Sequence, residues 1–145
     1  MNIAVGSDEN ALDLKNELIG VLKEKNVPYR DFGVFTKDPV DYPDIAAAVS
    51  EEVAAGNFDR AILVCGTGLG MAICANKFRG VRAAVCHDIY SAQRSILSND
   101  CQVLCMGSFI IGTGLAKEIL KVWLAIERTG GTVKKVKKIE ELENR

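Results

Sequence analysis

This 145-residue chain has one histidine, His87, and no Cys-x-x-Cys pair. That excludes the usual frameworks for a structural zinc site, which need four ligands at short, paired spacings, and no metal is expected. Charge of one sign is missing too. Lys and Arg number 18 against 19 Asp and Glu, a net charge of −1. No global field draws the chain to nucleic acid or to a membrane surface. No apolar run approaches the ~20 residues of a spanning helix. The opening Met1-Asn2-Ile3-Ala4-Val5-Gly6 is too short for a signal peptide and has no basic segment before it. The cytoplasm is therefore the expected location, with neither membrane nor nucleic acid as a partner. The cysteines, Cys65, Cys74, Cys86, Cys101 and Cys105, are odd in number and lie mostly in apolar runs, as reduced, buried thiols do. Linkers, repeats and low-complexity segments are absent as well.

What is present is an alternation. The length suits one domain, and 48% hydrophobic with 26% charged residues is an ordinary globular balance. Ile3 to Gly6, Val27 to Phe32, Arg60 to Cys65, Val81 to Cys86 and Gln102 to Met106 read as strands. Between them, Leu14, Leu18, Val21 and Leu22 recur at helical spacing, and Asp44–Ala55, Met71–Lys77 and Tyr90–Leu97 read as further helices. Leu115, Ile119, Val122, Trp123 and Ile126 line one face of a long helix after the fifth strand. The β–α alternation predicts an α/β protein with a Rossmann-like, doubly wound, five-stranded parallel sheet in three α/β/α layers. Residues 1–131 form this domain. Residues 132–145 form a helical tail whose sparse stripe, Val133, Val136, Ile139 and Leu142, is expected to pack at a subunit interface or else to fray.

In open α/β sheets ligands sit beyond the carboxyl ends of the strands. Four segments are assigned there: Gly6 to Asn10, Cys65 to Gly70, Cys86 to Asp88, and Ser98-Asn99-Asp100 beside the fifth strand. The strongest is Cys65-Gly66-Thr67-Gly68-Leu69-Gly70. A glycine-rich turn from strand into helix presents backbone N–H groups to a phosphate or a developing oxyanion. Cys65 stands at its entrance, where the same field favours a thiolate. Taken alone, the turn serves equally as a tight connection that needs glycine. Asp8 is either a binding carboxylate or the N-cap of the first helix. His87 is an acid or base, or a helix-capping histidine. A dinucleotide is not expected, because the turn follows the third strand rather than the first, and no cofactor is assigned. Lys134, Lys135, Lys137 and Lys138 form a solvated face or a grip on phosphate.

Gly6-Ser7-Asp8, Asp41-Tyr42-Pro43, Cys65 to Gly70, Ala75-Asn76-Lys77, Cys86-His87-Asp88, Tyr90-Ser91-Ala92, Asn99-Asp100 and Gly130-Gly131 together resemble the type B ribose-5-phosphate isomerases and the related galactose-6-phosphate isomerase subunits. The likeness runs from Met1 to about Gly131. It implies a homodimer or tetramer with active sites between subunits, and an aldose–ketose isomerisation through a cis-enediolate. It implies Cys65 as the base, and Gly66, Thr67, Gly68, Leu69 and Gly70 as the hole that holds the enediolate. Asp8 and Asn99 then contact sugar hydroxyls, and Tyr42 lines the pocket.

Several positions depart from the family pattern. Glu9 stands where the family has histidine, Ser98 where it has the ring-opening histidine, and Phe109 where it has a phosphate-binding arginine. Thr132 and Val136 stand where two more arginines are usual. Serine cannot shuttle protons near neutral pH as histidine does. Each lost charge-assisted contact is worth ~1.5–3 kcal/mol. The expected substrate is therefore a small sugar or sugar phosphate other than ribose 5-phosphate. A tetrose phosphate fits, since its phosphorylated O4 prevents a furanose from closing. An ordinary ribose-5-phosphate isomerase and a non-catalytic or helper subunit of a two-chain enzyme are the alternatives.

Overall fold

The computed structural model describes residues 1–145. Each apolar run of the sequence is a strand of one parallel sheet: β1 (Ile3–Ser7), β2 (Tyr29–Asp31), β3 (Arg60–Cys65), β4 (Ala83–Val85) and β5 (Val103–Gly107). The helices between and after them are α1 (Leu12–Glu24), α2 (Tyr42–Ala54), α3 (Leu69–Ala75), α4 (Ile89–Leu97), α5 (Thr113–Ala125) and α6 (Val133–Leu142). The strands buried on both faces, β1, β5 and, after Arg60, β3, are the three inner ones. The outer strands β2 and β4 keep three residues each, fewer than their apolar runs suggest. A strand with one neighbour has half the ladder to hold its ends.

The sheet order is β2-β1-β3-β5-β4. Helices α1, α4 and α5 cover one face around Leu18, Ile62, Leu104 and Trp123. Helices α2 and α3 cover the other around Val49, Leu63, Met71 and Cys105. Moving from β1 to β2 uses the first face, and reversing direction toward β3 and β4 uses the second. The return from β4 to β5 uses the first face again. Every crossover thus keeps one hand, as the right-handed rule requires. It also means that the chain leaves β1 and β3, which are neighbours, toward opposite faces. That divergence opens a crevice at their carboxyl ends.

The first helix is entered by a 3₁₀ turn, Glu9–Ala11, with Asp8 as its N-cap, accepting from the Asn10 N–H. Pro43 occupies the first turn of α2, where a missing N–H costs nothing. Asp88, not His87, caps α4 by accepting from the Ser91 N–H at 2.7 Å.

The tail is helical as expected, and it engages its own chain through polar groups. The Gly80 N–H donates to the Glu143 carboxylate at 2.9 and 3.1 Å, and Arg79 donates to Asn144 and to the Glu143 carbonyl. Of its apolar stripe only Val136 is buried. Val133, Ile139 and Leu142 remain 40–54% exposed.

Candidate active site

The crevice between β1 and β3 is a cleft of about 430 Å³, lined by Asp8, Asn10, Tyr42, Cys65, Gly66, Thr67, Leu69, Gly70, Ile73 and Phe109. Cys65, the last residue of β3, points to the α2–α3 face and is 4% exposed at the floor. Its Sγ accepts the Gly68 N–H at 3.1 Å. The N–H groups of Thr67, Gly70 and Met71 have no acceptor within the protein, because they precede the first complete turn of α3. Thr67 and Gly70 line the cleft. A sulfur and a set of unsatisfied amides therefore share one small space that holds no cation.

The glycines of the turn are approached closely, and Gly68 most restrictively. Gly68 has φ +77°, and a Cβ there would meet the Met106 backbone at 2.8 Å. A Cβ at Gly66 would stand 2.7 Å from the Phe109 ring, and one at Gly70 would stand 2.4 Å from the Tyr42 ring. Gly107, at the end of β5, lies so close that its Cβ would fall 2.5 Å from the Thr67 backbone. The turn is thus pinned by backbone at Gly68 and Gly107, while the Phe109 and Tyr42 rings lie over Gly66 and Gly70. Backbone bonds from Ser108 N–H to the Cys65 carbonyl and from Phe109 N–H to the Gly66 carbonyl, both 2.9 Å, tie it to the segment after β5.

Asp8 is 5% exposed, and burial first, then the charge of Glu9, raises its carboxyl above the usual carboxylate value. Glu9 itself turns away from the cleft and accepts the Val40 N–H at 3.1 Å, pinning the loop before α2. His87 also lies outside the lining. Its Nε2 accepts the Gly107 N–H at 2.8 Å, and burial pushes its pKa down. It is a neutral acceptor behind the turn. Gly68 likewise holds the turn from behind rather than lining it.

Ser98 and Asn99 are not in the cleft of their own chain. They follow α4 and precede β5, so they sit at the amino end of the sheet, opposite the Cys65 turn. Grouping them with the carboxyl ends overlooked that a segment before a parallel strand lies at its start. The Ser98 Oγ accepts from Arg94 Nε at 2.8 Å, and Asn99 is exposed. Sequence reasoning also missed Asn10 and Ile73. Asn10 ended the polar run already singled out after β1. Ile73 lies one helical turn beyond Leu69 and Gly70, on the same face.

A thiol beside unsatisfied amides in an α/β crevice is an arrangement that suits an anion or a developing oxyanion. The comparisons agree. A family model described as ribose/galactose isomerase matches residues 3–142. The chain is 48% identical to ribose-5-P isomerase B of Listeria innocua, over 100% of this chain and 99% of that one. It is 45% identical to D-erythrulose-4-phosphate isomerase of Pectobacterium atrosepticum, over 96% and 93%. The solved structure of Clostridium thermocellum ribose-5-phosphate isomerase B superposes with a TM-score of 0.97 at 43% identity, covering 99% of this chain and 98% of that one. The protein is an aldose–ketose isomerase of the sugar-phosphate class. It belongs to the ribose/galactose isomerase family.

Proposed function

We propose that the protein interconverts the aldose and ketose forms of a four-carbon sugar phosphate, with Cys65 as the base. The observation that carries this is a sulfur and free amides in the cleft of a chain whose one histidine, His87, is held outside the lining as an acceptor of the Gly107 N–H. Deprotonated Cys65 takes the proton from C2 of the aldose. Electrons move toward C1, and O1 becomes an oxyanion facing the free N–H groups of Thr67 and Gly70. The cis-enediolate shifts a proton between O1 and O2, and the sulfur returns its proton to C1, leaving the ketose. The amides gain most when the negative oxygen appears, which is how a preorganised dipole lowers a barrier. Asp8 and Tyr42 orient the hydroxyl groups, and Phe109 closes one wall.

Ring opening requires a proton donor near neutral pH, and the cleft has none. A four-carbon sugar phosphorylated at O4 is never a furanose, so it needs none. The likeness to the D-erythrulose-4-phosphate isomerase supports the same reading. The substrate's phosphate needs cations that this cleft lacks, and Lys134, Lys137 and Lys138 stand together on the open face of α6. Ser98, Asn99 and these lysines belong to the proposed site as contributions of a second copy. The exposed Leu69, Ile73 and Phe109 around the opening, 57–71% exposed, give that copy an apolar surface to cover.

The 48% identity to a ribose-5-P isomerase B favours a second reading, with ribose 5-phosphate as substrate. The test is a steady-state comparison of four-, five- and six-carbon sugars, with and without phosphate, using the purified chain alone. The four-carbon phosphate should have the highest kcat/KM. A value for ribose 5-phosphate at or above about 10⁴ M⁻¹s⁻¹ with a weaker tetrose would put the second reading first. No turnover of any sugar by the pure chain would make it a helper subunit instead.

A further inference from the structure

We infer that Arg82 is a positioning residue for this reaction, locking the Ser98–Asp100 loop and helix α6 into one unit that each chain presents to the cleft of a second copy. The inference rests on the proposed function above, and it adds the device that holds the donated groups in place.

Arg82 follows Val81 at the start of the edge strand, and its side chain is only 12% exposed. Its guanidinium is divided between two segments. Nε donates to the Asp100 carbonyl at 2.9 Å, and Nη2 donates to Asp100 Oδ2 at 3.0 Å. Nη1 reaches Glu140 Oε1 on α6 and the Gly80 carbonyl, each at 3.4 Å. The Arg82 backbone N–H donates to Gln102 Oε1 at 2.8 Å, so the base of the clamp is fixed as well. A second arginine, Arg128, donates to the same Asp100 Oδ2 at 2.8 Å. Asp100 is held in a left-handed conformation, φ +51°, uncommon for a residue with a side chain. At the other end of the loop, the Thr132 hydroxyl just before α6 donates to the Leu97 carbonyl at 3.3 Å.

A short connection from a helix to a strand needs none of this. Burying a guanidinium is costly unless its donors are met, and a planar fork that serves two acceptors fixes their relative orientation. What is fixed here is an exposed Asn99, a Ser98 beside it, and a helix whose lysines face outward. They lie at the amino end of the sheet, where their own chain offers no reacting sulfur. A polar loop and a cationic helix joined through Arg82 make the complement of a cleft that has amides and a thiol but no cation.

The test is complementation in trans. Arg82→Gln and Cys65→Ala chains, carrying different affinity tags, are co-expressed, and the mixed dimer is isolated. Kinetics are read on whichever sugar phosphate the wild-type chain turns over, so an error in the substrate's carbon count leaves the outcome legible. Homodimeric Arg82→Gln should lose at least about ten-fold in kcat/KM, mostly as a raised KM. In the mixed dimer one cleft combines an intact Cys65 with an intact Arg82 loop, so activity should recover to about half that of wild type. Arg82→Lys, which keeps the charge and loses the fork, should be impaired in the same sense and recover in the same way. It also replaces Arg82→Gln if circular dichroism shows that variant unfolded. A mixed dimer as inactive as Cys65→Ala, beside an active wild type, would overturn the inference and leave the proposed function standing. So would an Arg82→Gln homodimer with wild-type kinetics.

Discussion

The two ends of the sheet are built on opposite plans. At the carboxyl end, the cleft lining contains no cation and one carboxylate, Asp8, and its shape comes from rings and strands pressed against glycine. At the amino end, Arg60, Arg82 and Arg128 crowd around Asp100, Glu140 and the carbonyls that end α5. Arg60 donates to the carbonyls of Trp123 and Ile126 at 2.7 and 2.6 Å. One end is held by volume, the other by charge. The difference suits what each end carries. The oxyanion of the proposed reaction is best met by fixed dipoles that need not reorganise, whereas the arginines of the amino end tie a loop and helix ends together.

The comparison is broken most severely by removing the sulfur. Cys65→Ala should reduce exchange of the substrate's C2 proton with solvent deuterium by at least about 10³-fold, the upper range for a positioned base. Its unfolding free energy should change by no more than about 1–2 kcal/mol, since only one buried atom is removed. Proton NMR in D₂O reads the first quantity and urea denaturation the second. Exchange at the wild-type rate would remove Cys65 from the mechanism.

Next in size is the volume test. Gly68→Ala places a methyl group 2.8 Å from the Met106 backbone in a left-handed residue. It should cost about 2–4 kcal/mol of stability and most of the activity. Gly20→Ala is the control. Gly20 lies inside α1 with open space around it, and alanine there should stabilise by about 0.5–1 kcal/mol. Equal behaviour of the two variants in urea titrations would mean that the turn is not sterically pinned.

Much of the carboxyl end was legible before any coordinates. The strand-turn-helix pattern at Cys65–Gly70 is local, and every residue of it lies within six positions. Asp8 joins it because the crevice between diverging strands is a general property of such sheets, whereas Tyr42 and Phe109 are reached only through the family resemblance. The amino end was not legible. Nothing in the spacing of Arg82, Asp100, Arg128 and Glu140 shows that they meet, because their contacts depend on the strand order. Alternation of elements predicts the number of strands, not that β5 inserts between β3 and β4. The same ignorance of chain direction put Ser98 and Asn99 at the wrong end. The shortness of β2 and β4 was hidden for a related reason, since apolarity marks burial and not pairing.

The charge plan is tested by Asp100→Asn, which leaves Arg82 and Arg128 without their shared anion. Asp100's side chain is 31% exposed, so water screens part of the loss, and about 1–2 kcal/mol is expected rather than the 3–5 kcal/mol of a fully buried pair. The wild-type advantage should shrink as salt is raised, whereas the Gly68→Ala penalty should not respond to salt. Denaturation of both variants at low and high ionic strength separates the plans. A salt-independent Asp100→Asn penalty would show that packing, not charge, holds the amino end.

The smallest effect expected joins the two plans through His87. Burial lowers its pKa below the ordinary value of 6.5, and nearby Asp88 only partly offsets this. The unfolded chain therefore takes up the proton first as pH falls. The stability linked to neutral His87 is fully present above about pH 6.5 and is lost as the pH drops from there toward the lower folded-state value. Protonation also removes the acceptor for the Gly107 N–H, and Gly107 is the residue wedged against Thr67. Acidification should thus loosen the back of the turn before it reaches the cleft. Urea midpoints measured from about pH 8 to about pH 5.5 should fall more steeply for the wild type than for His87→Gln, whose amide oxygen keeps an acceptor without titrating. Parallel curves would mean that His87 exchanges its proton without disturbing the turn, and the volume plan would then be independent of pH.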